Sequence, residues 1–326
     1  MKILRTALCG LGNIAWRFDR RGSRRVTALS HADAYGCQPR TVLVAGFSPD
    51  KADRNAFRTA SGLGVYDNLE ALLASEKPDV VSICSPSEHH YQQAVTCIAH
   101  DVPMIWLEKP PVLTLAEMDR LQAEAAAAGA TVAVNYQRRY LPIYQALRNR
   151  LASGVMGCCR RILATYSRGL ETNGSHILDM LFFVAEECDR PRLQWVSAAG
   201  DPDNPSFGLV MGEVEVVVTG AALPYHDIDI SATCDEGRIS VLHGGMTARI
   251  ETRVEHELFP GFYRLVDADD LDFSALAGLS GGMENALGDL LDAHENGRAP
   301  LSDLRSARKT MALVEAVRRR QQGGGR

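Results

Sequence analysis

Five short apolar runs punctuate the first two-fifths or so of the chain, at residues 3–9, 41–47, 79–84, 103–107 and 131–135. Aliphatic and β-branched runs of that length read as strands. Between them the pattern is helical over 50–61, 69–75, 89–100 and 115–128. Thr114 and Glu117 make a capping-box pair ahead of the last of these, and Gly129 stands at its end. Strands alternating with helices predict a parallel, doubly wound sheet.

The rhythm changes after Gln137. Residues 160–168 alternate as a strand, and 174–187 are helical and nearly all apolar. Strand candidates then follow one another at 195–199, 213–223, 228–234, 238–242 and 248–253. Consecutive strands with short connections predict antiparallel pairing, so the second part reads as an α+β domain built on one large, mostly antiparallel open sheet. Two helices close the chain, at 284–296 and 302–320, the second capped by Ser302 with Asp303 in its first turn. The glycine-rich end, 323–326, is expected to be disordered.

The 326 residues suit two domains, and 46% apolar with 23% charged is ordinary globular composition. A net charge of −5 gives no overall field for nucleic acid, so no nucleic-acid partner is expected. No apolar run reaches the roughly 20 residues of a membrane span, and the first residues lack a signal-peptide pattern. A cytoplasmic protein with no membrane partner is the expectation. Eight cysteines include no C-x-x-C pair, which predicts buried reduced thiols and no metal site.

The first strand runs into Gly10-Leu11-Gly12-Asn13-Ile14-Ala15. A G-x-G-x-x-A turn between strand and helix fits a dinucleotide: Gly10 for the tight turn, Gly12 for close approach of a pyrophosphate, Ala15 for close helix packing. At the end of the second strand, where an acid would read the ribose hydroxyls, the chain has Ser48, with Lys51 and Arg54 nearby. That tilts the cofactor towards NADP(H), while Asp50 keeps NAD(H) open. Arg17, Arg20, Arg21, Arg24 and Arg25 follow the loop, either as a solvated basic excursion or as a loop facing an anion at the site mouth.

With Glu108-Lys109-Pro110 added to the glycine loop, the chain resembles the Gfo/Idh/MocA family of NAD(P)-dependent oxidoreductases. Pro86-x-x-x-His90-x-x-x-Ala94, Asn135-Tyr136-Gln137-Arg138-Arg139-Tyr140-x-Pro142, Gly174-Ser175-His176-Ile177-Leu178-Asp179 and Gly297-x-x-Pro300-x-x-Asp303 extend the resemblance along nearly the whole chain. It implies a Rossmann domain at 1–137, a substrate and oligomerisation domain at 138–300, and a terminal helix at 301–326 packing back on the first domain. It implies hydride transfer between nicotinamide and a secondary alcohol or ketone of a sugar, cyclitol or nucleotide-sugar-like substrate, in a homo-oligomer (dimer or tetramer). Gly10, Gly12, Asn13, Ile14, Ser48, Ser85, Pro86, His90, Glu108 and Lys109 would meet the cofactor. Asn135, Arg138, Arg139, Thr172, Asn173 and Asp179 would meet the substrate, with Lys109 and His176 catalytic.

A lysine half-buried beside a cationic nicotinamide sheds its proton more easily, and a histidine titrates near neutrality already, so both suit acid–base work on a hydroxyl. One position departs from the resemblance. Four residues before His176, where the family has an aspartate, stands Thr172, which cannot share a proton as a carboxylate would. Glu171 is a candidate substitute. Two other readings remain: a nucleotide-binding sensor without turnover, and a reductase of non-sugar carbonyls.

Overall fold

A computed structural model describes residues 2–20, 27–185, 191–268 and 270–323. The first half runs β1 (Leu4–Cys9), two short turns of helix (Asn13–Arg17, Phe18–Arg20), α1 (His31–Cys37), β2 (Thr41–Phe47), α2 (Lys51–Ser61), β3 (Gly64–Tyr66), α3 (Leu69–Glu76), β4 (Val80–Ile83), α4 (His90–Ala99), β5 (Met104–Leu107), α5 (Leu115–Ala128) and β6 (Thr131–Val134). There follow α6 (Pro142–Ala152), β7 (Cys159–Ser167), a wide helical turn (Leu170–Gly174), α7 (Ser175–Val184), β8 (Arg192–Val196), β9 (Phe207–Met211), β10 (Val214–Ala221), β11 (Ile228–Cys234), β12 (Gly237–Leu242), β13 (Thr247–Glu255), β14 (Tyr263–Asp267), α8 (Leu271–Ala275), α9 (Gly282–Glu295) and α10 (Leu304–Gly323).

Two compact units result. The first comprises Met1–Tyr140 and Ser280–Arg308. Its six strands form an all-parallel sheet in the order β3-β2-β1-β4-β5-β6. The strand order reverses at β1 and β4, and a doubly wound sheet binds its ligand beyond the strand ends at such a point. Every residue of β4 and β5 is buried, as strands covered on both faces require. Side chains start the helices: Asp50 caps α2, Asn68 caps α3, and Thr114 with Glu117 closes the capping box of α5.

The second unit comprises Leu141–Leu279 and Lys309–Arg326. Its eight strands run β14-β13-β12-β11-β7-β10-β9-β8. All neighbours are antiparallel except β7 and β10, which pair in parallel. The sheet is thus mostly antiparallel, with one pair that contradicts the simple hairpin expectation. The chain leaves β7 through α7, builds β8 and β9, and returns to lay β10 beside β7, a crossover that permits parallel pairing.

The division also differs from the expected domain limits of 138–300 and 301–326. Helix α9 belongs to the first unit, where Met283, Leu287, Leu290 and Leu291 share a buried cluster with Tyr35 and Trp106. The first turns of α10 belong there too: Val134 N–H donates to Ser302 O at 2.7 Å, and Arg308 pairs with Asp119 at 2.5 Å. From Lys309 onward α10 joins the second unit, through Thr310 to Asp179, Arg318 to Glu171 and Arg320 to the carbonyls of Leu193 and Gln194. Elements β3, β9, β14, α1, α6 and α8 have no counterpart in the sequence reading, and β8 lies three residues earlier than expected. Arg21, Arg24 and Arg25 of the basic segment, and residues 324–326, lie outside the described residues. Among the described residues no helix is long and apolar enough to cross a membrane.

Candidate active site

The strand ends of the parallel sheet are tied together one residue past the strands themselves. Gly10 N–H donates to Phe47 O at 2.8 Å, Cys84 to Cys9 O at 2.7 Å, Glu108 to Ile83 O at 3.0 Å and Asn135 to Leu107 O at 2.7 Å. A ladder from β2 to β6 therefore holds four loop starts at one level, and the sequence-predicted residues of this unit hang from it.

At the β1 end Gly10 has φ +91°, and a Cβ there would lie 2.5 Å from Ser85 N. Only glycine permits that turn and that approach. Gly12 is different: a Cβ would meet nothing within 4 Å. The protein leaves this space unfilled beside backbone N–H groups, which is the cradle a pyrophosphate needs. Asn13 and Ile14 follow in the short helical turn, and Trp16 anchors it by donating to Leu11 O at 2.9 Å.

At the β2 end Ser48 is buried, and its hydroxyl accepts from Asp50 N–H at 3.2 Å. Arg54 donates to Ser48 O at 2.7 Å and Pro49 O at 2.8 Å, while Arg17 pairs with Asp53 at 2.5 Å. The Asp50 carboxylate turns into its own helix, accepting from Asp53 N–H at 2.9 Å. The corner thus offers guanidinium groups, with its nearest carboxylate occupied as a cap.

At the β4 end Ser85 donates to Gln93 Oε1 at 2.5 Å, and Pro86 leads into α4. His90 is buried with its ring nitrogens 2.8 Å from Ser85 O and 2.8 Å from Pro110 O. Both edges of the ring are spent on backbone carbonyls. In this structure His90 ties two loops together through these carbonyls.

Glu108 and Lys109 follow β5, with a cis bond between Lys109 and Pro110. Glu108 Oε1 receives Asn135 Nδ2 at 2.6 Å and His31 Nε2 at 2.9 Å, and Oε2 receives the Lys109 N–H at 3.3 Å. Burial would raise the Glu108 carboxyl, but the bonds from His31 and Asn135 and the Lys109 charge outweigh it and hold it below the usual glutamate range. Burial pushes the Lys109 ammonium down, with Arg138 adding to the push and Glu108 opposing it. Lys109 is therefore an amine that gives up its proton more readily than a solvated lysine.

Asn135 is 3% exposed, and its Oδ1 finds no donor among the described residues. An orphaned buried acceptor beside Glu108, together with the Gly12 cradle, fits a polar ligand lying along these strand ends. Arg139 is also buried, but its guanidinium donates to Leu301 O at 2.9 Å. It ties this loop to the segment ahead of α10.

In the second unit His176 opens α7, whose ten residues are all buried. The turn before it starts at Gly169 (φ +95°) and carries Thr172 and Asn173. His226 Nδ1 lies 3.1 Å from the Asn173 side-chain amide, and Arg168 donates to His226 Nε2 at 3.3 Å. Asp179 is buried and accepts from Thr310 Oγ1 at 3.4 Å. Glu171 is no substitute for the absent aspartate: Arg318 grips it in two bonds of 2.7 Å each, and this pairing, against partial burial, holds its carboxyl below the usual range.

Sequence reasoning missed His31, Ser82, Tyr35 and His226. One signal was present for Ser82, a hydroxyl inside the apolar run of β4. The others are joined to the site only across long chain separations.

Residues 4–136 match the oxidoreductase family known as Gfo/Idh/MocA, with an NAD-binding Rossmann fold. The chain is 28% identical over 172 residues to D-glucoside 3-dehydrogenase of Escherichia coli K12, covering 52% of this chain and 44% of that protein. It is 31% identical over 120 residues to inositol 2-dehydrogenase of Rubrobacter xylanophilus, covering 36% of this chain and 33% of that one. These matches thus span less than half the length of either relative. In structure it resembles UDP-N-acetylglucosamine 3-dehydrogenase from Acidithiobacillus ferrooxidans, with a TM-score of 0.77, 20% identity and 99% of each chain covered, a likeness of fold. What the match supports is thus that residues 4–136, about two-fifths of the chain, are similar to the NAD-binding Rossmann domain of the Gfo/Idh/MocA oxidoreductases.

Proposed function

We propose that this protein is an NAD(P)-dependent oxidoreductase that moves a hydride between nicotinamide and a secondary alcohol or ketone of a sugar, cyclitol or nucleotide-sugar-like substrate. The observation that carries the reading is Lys109: a half-buried amine of lowered proton affinity, next to Glu108, on the rim that also holds Gly10 and Gly12. The dehydrogenases of glucosides and inositol among its relatives support the substrate class.

When bound, the nicotinamide supplies or accepts the hydride. The chain's own residues do the rest. Gly12 and the turn at Asn13 and Ile14 hold the pyrophosphate, and Ser48, Lys51 and Arg54 receive a 2′-phosphate, so NADP(H) is the favoured form. Asp50 does not compete for ribose hydroxyls because its carboxylate caps α2. Lys109 takes the hydroxyl proton in oxidation and returns it in reduction. In the second unit His176 is the other acid–base candidate, with Thr172 and Asn173 as hydrogen-bonding candidates for the substrate; in the first unit Asn135 and Arg138 are the substrate candidates. Asp179 serves the substrate only indirectly, through the helix that carries His176.

Association into a homo-oligomer belongs to the same reading. Leu258, Phe259, Phe262 and Tyr263 stand exposed at the β13–β14 connection, an apolar patch that suits a second copy. Sedimentation at several concentrations measures it.

Fluorescence titration with NADPH and NADH, then a panel of sugars, cyclitols and nucleotide sugars, tests the reading. Tighter NADPH binding and turnover on a panel member are expected. Thr172 in place of the family's aspartate favours one other reading, a nucleotide-binding sensor. Tight nucleotide binding with no turnover of any sugar or non-sugar carbonyl would select it.

A further inference from the structure

Behind Glu108 lies a line of buried polar groups that the proposed chemistry does not use. Tyr35 OH is 2.6 Å from Ser82 Oγ, Ser82 Oγ is 2.8 Å from His31 Nδ1, and His31 Nε2 is 2.9 Å from Glu108 Oε1. A carboxylate only accepts, so Nε2–H donates to Glu108. Tyr35 O–H donating to Ser82, and Ser82 O–H to Nδ1, then uses every polar hydrogen along the line in one direction. His31 is fully buried and its ring lies against Trp106 at 4.0 Å between centroids. Its orientation is therefore fixed from three sides. Polar groups buried in the covered face of a parallel sheet are costly, and a packing role alone would be met by an apolar side chain.

We propose that His31 is a positioning residue for Lys109, acting through the Glu108 carboxylate that it orients. Two donors, His31 and Asn135, converge on Oε1, and the Lys109 N–H meets Oε2. The titratable and charged groups facing this pair are His31, Arg138 and the buried Cys84 thiol, besides Glu108 and Lys109 themselves. Arg138 disfavours the Lys109 ammonium, and Glu108 is the one counterweight among these groups. Without the His31 donor, the opposition to burial at Glu108 weakens and its carboxyl takes up a proton more readily. The counterweight weakens, and Lys109 then loses its proton at lower pH.

The proposal rests on reading Lys109 as the acid–base group, and the two can be separated. The measurement is the pH dependence of Lys109 acetylation in the full-length, cofactor-free protein, read peptide by peptide by mass spectrometry. In the wild type Lys109 should become reactive at lower pH than the exposed lysines. His31→Phe fills the space against Trp106 without a donor and should shift the Lys109 curve to still lower pH. Glu108→Gln should do the same. His31→Gln keeps an amide donor and should return the curve towards the wild type. Ser82→Ala, the mildest change in volume, should shift it less and in the same direction, and it serves as the test if His31→Phe does not fold. A folded His31→Phe or Ser82→Ala protein whose Lys109 titrates as in the wild type overturns the inference. If wild-type Lys109 titrates like a surface lysine, the catalytic reading itself fails.

Discussion

Gly12 and Lys109 make opposite demands on a substitution. At Gly12 there is room for a side chain in the folded protein, so Gly12→Val should leave the melting temperature of the cofactor-free protein nearly unchanged while weakening NADPH binding by tenfold or more. Unchanged affinity would place the pyrophosphate elsewhere. At Lys109 the group itself is needed. Lys109→Met should keep nucleotide binding and lose at least about two decades of turnover, the usual worth of general acid–base catalysis. The sign of the pH effect follows from burial: because the Lys109 ammonium is disfavoured, the rate of alcohol oxidation should rise to its plateau below the pH at which an ordinary lysine, near 10.4, loses its proton. A rising limb at the ordinary lysine position would contradict it. These residues were readable because short motifs carry them. His31 was not, since its partners Ser82 and Glu108 lie 51 and 77 positions along the chain and no local pattern joins them.

Helices and strands were legible where period and punctuation agreed. Helix α5 is the clearest case: the capping box and Gly129 bound it in sequence, and the structure shows Thr114 Oγ1 accepting from Glu117 N–H at 3.1 Å and Glu117 Oε2 accepting from Thr114 N–H at 3.1 Å. Thr114→Ala should cost about 1 kcal/mol of stability, measured by urea unfolding at pH 7, with no effect on nucleotide affinity. The three-residue β3 is too short to show a period, and α1 follows a stretch of arginines and small residues with no apolar repeat. The parallel pairing of β7 with β10 was hidden for another reason. Adjacency in sequence is a guide to pairing, but here α7, β8 and β9 intervene, and nothing in either strand marks its neighbour.

The chain passes between the two compact units three times, after Tyr140, Leu279 and Arg308. Reading domains as consecutive stretches could not show this, so α9 falls within the expected 138–300 stretch although it packs in the first unit. Its apolar face completes the Rossmann core: Met283, Leu287, Leu290 and Leu291 are all buried. At roughly 1.5–3 kcal/mol for each large side chain, that face contributes on the order of 10 kcal/mol, comparable with the entire stability of a typical domain. A fragment of residues 1–140 should therefore melt without a cooperative transition and bind hydrophobic dyes. Appending 280–308 through a short flexible linker should restore cooperative unfolding, since Asn285 Nδ2 lies 3.0 Å from Tyr140 O and the junction needs little span. Cooperative melting of the shorter fragment would show that α9 is dispensable.

The backbone ladder from Phe47 to Asn135 carries a consequence in time as well as in space. The amides of Gly10, Cys84, Glu108 and Asn135 each donate to the neighbouring strand, so none can exchange its hydrogen unless the sheet itself opens. Nucleotide at a hundredfold excess over its dissociation constant should slow these four by about a hundredfold, the amount by which it stabilises the folded protein globally. The amides at Gly12 and Asn13 belong to a short turn outside that ladder, and they should slow through direct cover by the phosphates. Exchange read at single residues would thus separate the frame that waits from the loop that answers.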